Sequence, residues 1–217
     1  MLTAMVRKEL RETLGLAAIG LLAYLYFVTG QMGIPLLPWS GGRGYGIPFV
    51  YEAFVSMFWI VSVALAIGLG LRQSAAESLR GTWLFLLHRP AHRSRLIGVK
   101  LAVGALVYLI CGALPILLYG VWAATPGTHA SPFWWSMTLG AWQAWLSAAS
   151  LYFAAFLVGI RGARWFGSRL FTLAAAMLLV IVIQIEPWWW LLGTASLLLL
   201  DAWLILSILY VARTRDF

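Results

Sequence analysis

Few residues in this sequence have the types and spacing that metal binding requires. His88 and His92 have the four-residue separation that two zinc ligands on one helix can use. Pro90 lies between them and breaks a helix, so a solvated loop is the better interpretation of this segment. Cys111 is the single cysteine and lies inside an apolar run, which indicates a small buried hydrophobic side chain. The sequence therefore predicts no metal site and no internal disulfide.

Signatures of an enzyme are also missing from the sequence. It contains neither H-E-x-x-H nor G-x-S-x-G, and its apolar runs hold no clustered histidines. The phosphate-binding loop of ATPases reads G-x-x-x-x-G-K-[ST], and the nearest match is Gly98-Val99-Lys100. This match lacks the first glycine and the final Ser or Thr. We expect no catalytic residue and no cofactor, and ATP hydrolysis would have to take place on a second polypeptide.

One acidic residue, Asp201, lies in the middle of the last apolar run. An ionisable group at the centre of a membrane helix costs roughly 3 kcal/mol, so we expect this carboxyl group to face protein or a cavity. Two interpretations stay open. Asp201 could belong to a transport pathway or a proton relay, or it could form a packing hydrogen bond to Gln143, Gln184 or a serine. Asp201 and Gln143 are therefore our candidates for a polar site inside the membrane.

The elements that carry these residues are apolar runs long enough to cross a lipid bilayer. The 217 residues are 63% hydrophobic and 10% charged, whereas soluble domains carry about 25% charged residues. We predict one all-α transmembrane domain, residues 1–217, because backbone groups in lipid must bond within their own helix. Small residues four apart, such as Ala66 and Gly70, would allow close helix packing. The six predicted transmembrane helices are 14–29, 53–71, 101–123, 136–160, 170–185 and 188–211.

Basic residues predict how these helices are oriented. Fourteen of the fifteen Lys and Arg residues fall in the first segment, the second and fourth loops with their edges, and the tail. Only Arg43 falls on the opposite side. The positive side faces the cytoplasm, so both termini are predicted to be cytoplasmic. The net charge of +8 then reflects loops that lie against anionic lipid, and we expect no nucleic-acid partner.

The second predicted cytoplasmic loop, residues 72–100, carries the most informative pattern. Residues 74–88 can form a short helix with an apolar side, in which Glu77 and Arg80 make an i, i+3 pair. Pro90 ends this helix. The simpler interpretation is an interfacial helix that lies on lipid, and the more specific one is a helix that docks on a cytoplasmic partner.

Two segments resemble the permease subunits of ABC-2-type transporters. The first is the amphipathic stretch Arg7-Lys8-Glu9-Leu10-Arg11-Glu12, which precedes the first predicted span. The second is the loop between the second and third spans. Its matching residues are Glu77, Gly81, Thr82, Leu86, Leu87, Pro90, Arg93, Arg95, Ile97, Gly98, Lys100 and Leu101.

The resemblance implies an exporter that works by alternating access and is driven by a separate cytoplasmic ATP-binding subunit. A second permease copy or a related permease subunit would complete the pathway, in the inner cell membrane. Arg7, Lys8, Glu9, Arg11 and Glu12 would form an N-terminal interface helix beside the coupling region. The residues implied in ATPase coupling are Glu77, Arg80, Gly81, Thr82, Leu86, Leu87, Pro90 and Arg93.

The substrate stays open at this stage, as do two other functions. The chain could be a non-transporting membrane subunit of a larger complex, or a secondary transporter driven by ions. An ATP-hydrolysing subunit that co-purifies with the chain would separate the exporter from both.

Overall fold

The computed structural model describes residues 2–34, 47–50, 52–80, 93–129, 131–162, 169–185 and 190–214. This part of the chain is helical throughout its regular elements and contains no strand. The α-helices are α1 (Leu2–Gln31), α2 (Glu52–Arg80), α3 (Arg93–Ala124), α4 (Leu139–Ile160), α5 (Leu170–Ile185) and α6 (Trp190–Thr214), and a short 3₁₀ helix (Trp135–Thr138) precedes α4. The all-α prediction is confirmed.

Five of these helices are long and apolar enough to cross a membrane, namely α1, α2, α3, α6 and α4 with its preceding 3₁₀ turn. The helix α5 coincides with the predicted span 170–185, but this span is only 16 residues long. At 1.5 Å per residue it is about 24 Å long, less than the roughly 30 Å of a bilayer's hydrocarbon core. The described residues thus give a multi-pass membrane protein with five candidate spans and a shorter apolar helix.

Three helices extend beyond the apolar runs that predict them. The helix α1 begins at Leu2, α2 continues to Arg80, and α3 begins at Arg93. Residues 74–80, predicted to start a separate loop helix, therefore continue α2. The reason is local, because residues 72–80 contain no Gly or Pro and include several strong helix formers. Residues 81–92, including His88, Pro90 and His92, lie outside the described residues.

Helices that follow one another along the chain pack antiparallel. The Tyr24 hydroxyl and Ser62 Oγ lie 2.7 Å apart and join α1 to α2. The Tyr108 hydroxyl donates to the Trp145 carbonyl at 2.7 Å and joins α3 to α4. Of the residues in the most apolar stretch of α4, 78% are buried, against 22% in α6. The helix α4 is therefore the centre of the bundle and α6 lies at its edge.

Glycines allow α2 and α4 to approach each other closely. A Cβ atom on Gly70 would lie 2.5 Å from the Tyr152 carbonyl oxygen and 2.8 Å from Ala155 Cβ. A Cβ atom on Gly159 would collide with the Ser74 side chain. The two backbones are thus in contact at this crossing, as the small residues around Gly70 predict.

Large apolar side chains cover the outer surface of α1 and α6. Leu22 is 66% exposed on α1, and Leu199 is 73% exposed on α6. Water would make such a surface unfavourable, whereas lipid tails are as apolar as these side chains. The most exposed apolar residues of the two helices are Leu14, Ile19, Leu22, Leu191, Leu192, Leu198, Leu199, Leu206 and Tyr210.

Basic residues gather at one end of the bundle, which we call the charged end. It is the end where α1, α3 and α5 begin and where α2, α4 and α6 finish. All Lys and Arg residues within the described ranges lie there. They are Arg7, Lys8, Arg11, Arg72, Arg80, Arg93, Arg95, Lys100, Arg161, Arg169 and Arg213.

Candidate functional site

A buried ion-pair network lies at the charged end, with Lys100 of α3 at its centre. The Lys100 side chain is completely buried. Its Nζ atom lies 2.7 Å from Oε1 of Glu9 on α1 and 2.7 Å from Oε1 of Glu77 on α2. Distances this short are typical of charge-assisted hydrogen bonds. One ammonium group therefore holds the ends of three helices together.

The network reaches the surface through Lys8. The Lys8 Nζ atom donates to Glu77 Oε1 at 3.0 Å and lies 3.6 Å from Glu12 Oε1. The Lys8 side chain is 41% exposed, so solvent screens this half of the network. Among the side chains that the structure describes, three carboxylates and two ammonium groups thus form one cluster, with its buried half at Lys100.

Neutral groups extend the network to α4. The Gln73 amide of α2 donates to Glu9 Oε2 at 3.2 Å and to the Lys100 carbonyl at 3.0 Å. Its Oε1 atom accepts from the Tyr152 hydroxyl at 2.7 Å, and that hydroxyl also lies 2.9 Å from the Leu101 carbonyl. Four helices are therefore connected by continuous polar contacts inside an apolar bundle.

The spacing of residues along each helix explains how these side chains meet. Gln73 and Glu77 are four residues apart, so they lie on the same face of α2. On α3, Gly104 follows Lys100 by four residues, and its lack of a side chain leaves space for Gln73 and Tyr152. A Cβ atom on Gly104 would overlap Gln73 Oε1 and the Tyr152 hydroxyl. The glycine is thus necessary for the contact between α2 and α4.

A buried network of this kind specifies geometry more than it adds stability. Removing charges from water costs several kcal/mol per ion, which the attraction within the pair only balances. Removing one partner leaves an uncompensated buried charge and costs about 3–5 kcal/mol. The charges of Glu9, Lys100 and Glu77 therefore fix the relative positions of α1, α2 and α3 at this end.

The carboxyl groups of the network could in principle attract a metal ion. Oxygen atoms of Glu9, Glu12 and Glu77 lie within 4.8 Å of one another. Lys100 and Lys8 already donate to these carboxylates. Because ammonium groups supply the positive charge here, the geometry is that of an ion-pair network.

The implied coupling residues fall in two groups. Glu77 is buried in the network and Arg80 is the last residue of α2, while Arg93 begins α3 with an exposed side chain. Glu77 bonds to Lys100 and Lys8 of the neighbouring helices. Its predicted pairing with Arg80 stays a prediction, because the Arg80 side chain lies outside the described part of the structure. Gly81, Thr82, Leu86, Leu87 and Pro90 lie outside the described residues.

The implied N-terminal interface residues form the first turns of α1 and take opposite sides of it. Lys8, Glu9 and Glu12 face α2 and α3 and belong to the network. Arg7 and Arg11 are exposed. Sequence reasoning did not single out Lys100 as an ion-pair partner, nor Gln73 and Tyr152. A weak signal existed in the sequence, since Lys100 directly precedes an apolar run and a buried ammonium group there would need a carboxylate partner.

The two candidates for a polar site inside the membrane lie apart. Asp201 of α6 interacts with Ser150 of α4. Gln143 accepts a long hydrogen bond, 3.4 Å, through its backbone carbonyl from Gln184 of α5. Gln184 also donates to Ser147 Oγ at 2.7 Å. Within the described residues no hydrogen bond joins Asp201 to Gln143, and a serine is the neighbour of the carboxyl group.

Comparisons with protein-family models, with curated protein sequences and with solved structures found no match for this chain.

Proposed function

We propose that this chain is the transmembrane permease subunit of an ATP-binding-cassette exporter. In this proposal six helices cross the inner cell membrane, and the charged end, with both termini, faces the cytoplasm. The observation that carries the proposal is the buried network Glu9–Lys100–Glu77. It joins α1, α2 and α3 at the two ends of the segment that resembles a coupling loop.

The location of the network supports a mechanical role. Residues 81–92 connect the end of α2 to the start of α3. Glu77 lies three residues before the end of α2, and Lys100 lies seven residues after the start of α3. A force on the connecting segment therefore acts on two helix ends that are ion-paired to each other. Through Glu9 and Tyr152 the same force reaches α1 and α4. In the exporter it would drive alternating access.

The partners follow from the proposal. A cytoplasmic ATP-binding subunit would contact residues 81–92 and hydrolyse ATP, since the chain lacks a phosphate-binding loop. A second permease copy, or a related subunit, would pack against the apolar outer faces together with membrane lipids. The substrate is unidentified.

A second candidate function is a secondary transporter driven by ions. The observation that favours it is Asp201, an acidic residue halfway along α6 that packs on Ser150. In this candidate the ion gradient, and not ATP hydrolysis, would supply the energy.

Affinity purification of the tagged full chain in mild detergent, followed by mass spectrometry and an ATPase assay, tests the exporter proposal. We expect a stoichiometric ATP-hydrolysing subunit with the unmodified chain. Glu77 is unsuitable as the test position because its reversal would break the buried network. The double variant Leu86→Glu, Leu87→Glu alters the connecting segment instead, and we expect it to lose at least nine-tenths of the bound ATPase.

A matched control is Arg213→Glu, an exposed change at the charged end of α6. It should retain the ATPase subunit, and both variants should unfold at the temperature of the unmodified chain. Recovery of the unmodified chain without an ATPase, alone or with other integral subunits, would overturn the proposal. Equal loss of the partner in the control and in the loop variant would overturn the location of the contact.

A further inference from the structure

Asp201 lies on the face of α6 that packs into the bundle. The residues buried on α6 follow one another at spacings of three or four, and Asp201 occupies a position in that series. The buried members are Leu197, Leu204, Ile208 and Ala212, and the partly buried Asp201 lies four residues after Leu197 and three before Leu204. Spacings of three and four place side chains on one side of a helix, so the carboxyl group faces the other helices.

The neighbour of the carboxyl group is the hydroxyl of Ser150, which is completely buried on α4. Oδ1 of Asp201 and Oγ of Ser150 are both shielded from solvent, yet neither makes a well-formed hydrogen bond within the described part of the chain. Buried polar atoms in native proteins are almost always paired. Two unpaired buried atoms on neighbouring side chains of α4 and α6 therefore need an explanation.

Within the described residues, the helices packed against α6 carry no basic side chain near their middles that could neutralise an ionised Asp201; the basic residues of α3 (Arg93, Arg95 and Lys100) lie at the charged end. These helices are chiefly α4, α3 and α5. The titratable groups near the middle of these helices are Tyr152, Tyr108, Cys111 and Tyr119, and α5 has none. Tyr152 donates within the network, Tyr108 donates to Trp145, and Cys111 contacts the Ala17 carbonyl.

The nearest basic residue along α6 is Arg213, twelve positions away and therefore about 18 Å along the helix. Lys100 is held by Glu9 and Glu77 at the charged end. An ionised Asp201 would consequently be a lone negative charge in the middle of the bundle. A protonated carboxyl group avoids this charge, and it can both donate to and accept from a hydroxyl.

We propose that Asp201 and Ser150 form a proton-binding site inside the membrane, in which the carboxyl group holds a proton at neutral pH and hydrogen-bonds to the Ser150 hydroxyl. The ligand of this site is a proton. The inference rests on the contact between α4 and α6 and holds whether or not the chain is an ATP-driven exporter.

Infrared spectroscopy of the purified full chain in lipid bilayers at neutral pH tests the proposal directly. A protonated carboxyl group has a C=O stretch that an ionised one lacks. The spectrum of the unmodified chain minus that of Asp201→Asn should contain this band. In Ser150→Ala the band should persist at higher frequency, because the hydrogen bond to the hydroxyl is lost.

A hydrophobic carbodiimide provides an independent chemical probe. The protonated carboxyl adds its O–H across one C=N bond of the reagent, and the adduct rearranges to a stable N-acylurea without any leaving group. Mass spectrometry should find this adduct on Asp201 at neutral pH. Once the carboxyl ionises at alkaline pH, the labelling rate should fall about tenfold for each pH unit.

The result that would overturn the proposal is the absence of the infrared band at neutral pH in a chain whose circular dichroism matches that of Asp201→Asn. A carbodiimide labelling rate at Asp201 that does not change with pH would also overturn it. A band that stays at the same frequency in Ser150→Ala would overturn the assignment of Ser150 as the partner.

Discussion

Lys100 joins three helices within the described part of the molecule. It is completely buried, and it bonds to carboxylates on two other helices at 2.7 Å. A lysine has three donor hydrogens, and here two of them have carboxylate acceptors. The position of this single side chain therefore constrains α1, α2 and α3 together.

Replacing this lysine should destabilise the protein strongly. In Lys100→Met, Glu9 and Glu77 lose their shared counter-charge while they stay buried. We expect the free energy of unfolding to fall by about 3–5 kcal/mol. The measurement is reversible unfolding in mixed detergent micelles, followed by circular dichroism.

The matched control at this scale is Lys8→Met, which removes the other lysine bonded to Glu77. Because Lys8 is 41% exposed, solvent already screens its contribution, and we expect a loss below about 1 kcal/mol. If both variants lost the same free energy of unfolding, the burial of Lys100 would not increase its contribution to stability.

Residue pairing was the part of the site that sequence could least predict. Glu9 and Lys100 are 91 residues apart, and nothing local indicates which carboxylate a given lysine will meet. The segments themselves were visible, since Arg7–Glu12 and the loop around Glu77 both stand out as charged stretches beside apolar runs. Their interaction depends on helix packing that only the three-dimensional structure contains.

At the scale of the helices, apolar runs predicted the number and approximate position of the elements. The helix ends were harder, because α1, α2 and α3 continue past their apolar runs into polar sequence. A hydropathy pattern predicts that such polar residues are exposed to solvent. In the structure Glu9 accepts hydrogen bonds from Gln73 and Lys100, and Glu77 accepts one from Lys100, so the helices persist where the apolar pattern stops.

The crossing of α2 and α4 yields a prediction about packing. In Gly70→Ala the new methyl group would lie 2.5 Å from the Tyr152 carbonyl oxygen. Backbone cannot move aside as a flexible side chain can, so the helices must separate. We expect a loss of about 1–3 kcal/mol in the free energy of unfolding, measured in the same detergent titration.

Gly15→Ala on α1 is the control for this packing prediction, since nothing lies within 4 Å of the new Cβ atom. Alanine favours the helix over glycine by up to about 1 kcal/mol, so this variant should be neutral or more stable. A Gly70→Ala chain as stable as Gly15→Ala would contradict the close backbone contact.

For the molecule as a whole, the short helix α5 decides the topology. If α5 crosses the membrane, six spans place both termini on one side. If it does not, the end of α6 would have to lie on the side opposite the start of α1, unlike its position at the charged end of the bundle. The clustering of all described Lys and Arg residues at one end favours six spans.

Cysteine labelling in intact cells tests this topology, in a Cys111→Ala background that contains no other thiol. We expect Thr125→Cys, exposed after α3, to react with a membrane-impermeant maleimide from outside. Arg95→Cys and Arg213→Cys should react only after the cells are permeabilised. Reaction of Arg213→Cys from outside would contradict six spans and leave five.

The central position of Asp201 has an electrical consequence. It lies eleven residues from the start of α6 and thirteen from its end, and thus near the middle of the span. A proton that binds or leaves this carboxyl group moves through about half of the transmembrane voltage. Moving one elementary charge across the full voltage takes about 2.3 kcal/mol per 100 mV, so a proton reaching Asp201 exchanges about half of that with the membrane field. The occupancy of this carboxyl group would therefore respond to membrane potential as well as to proton concentration.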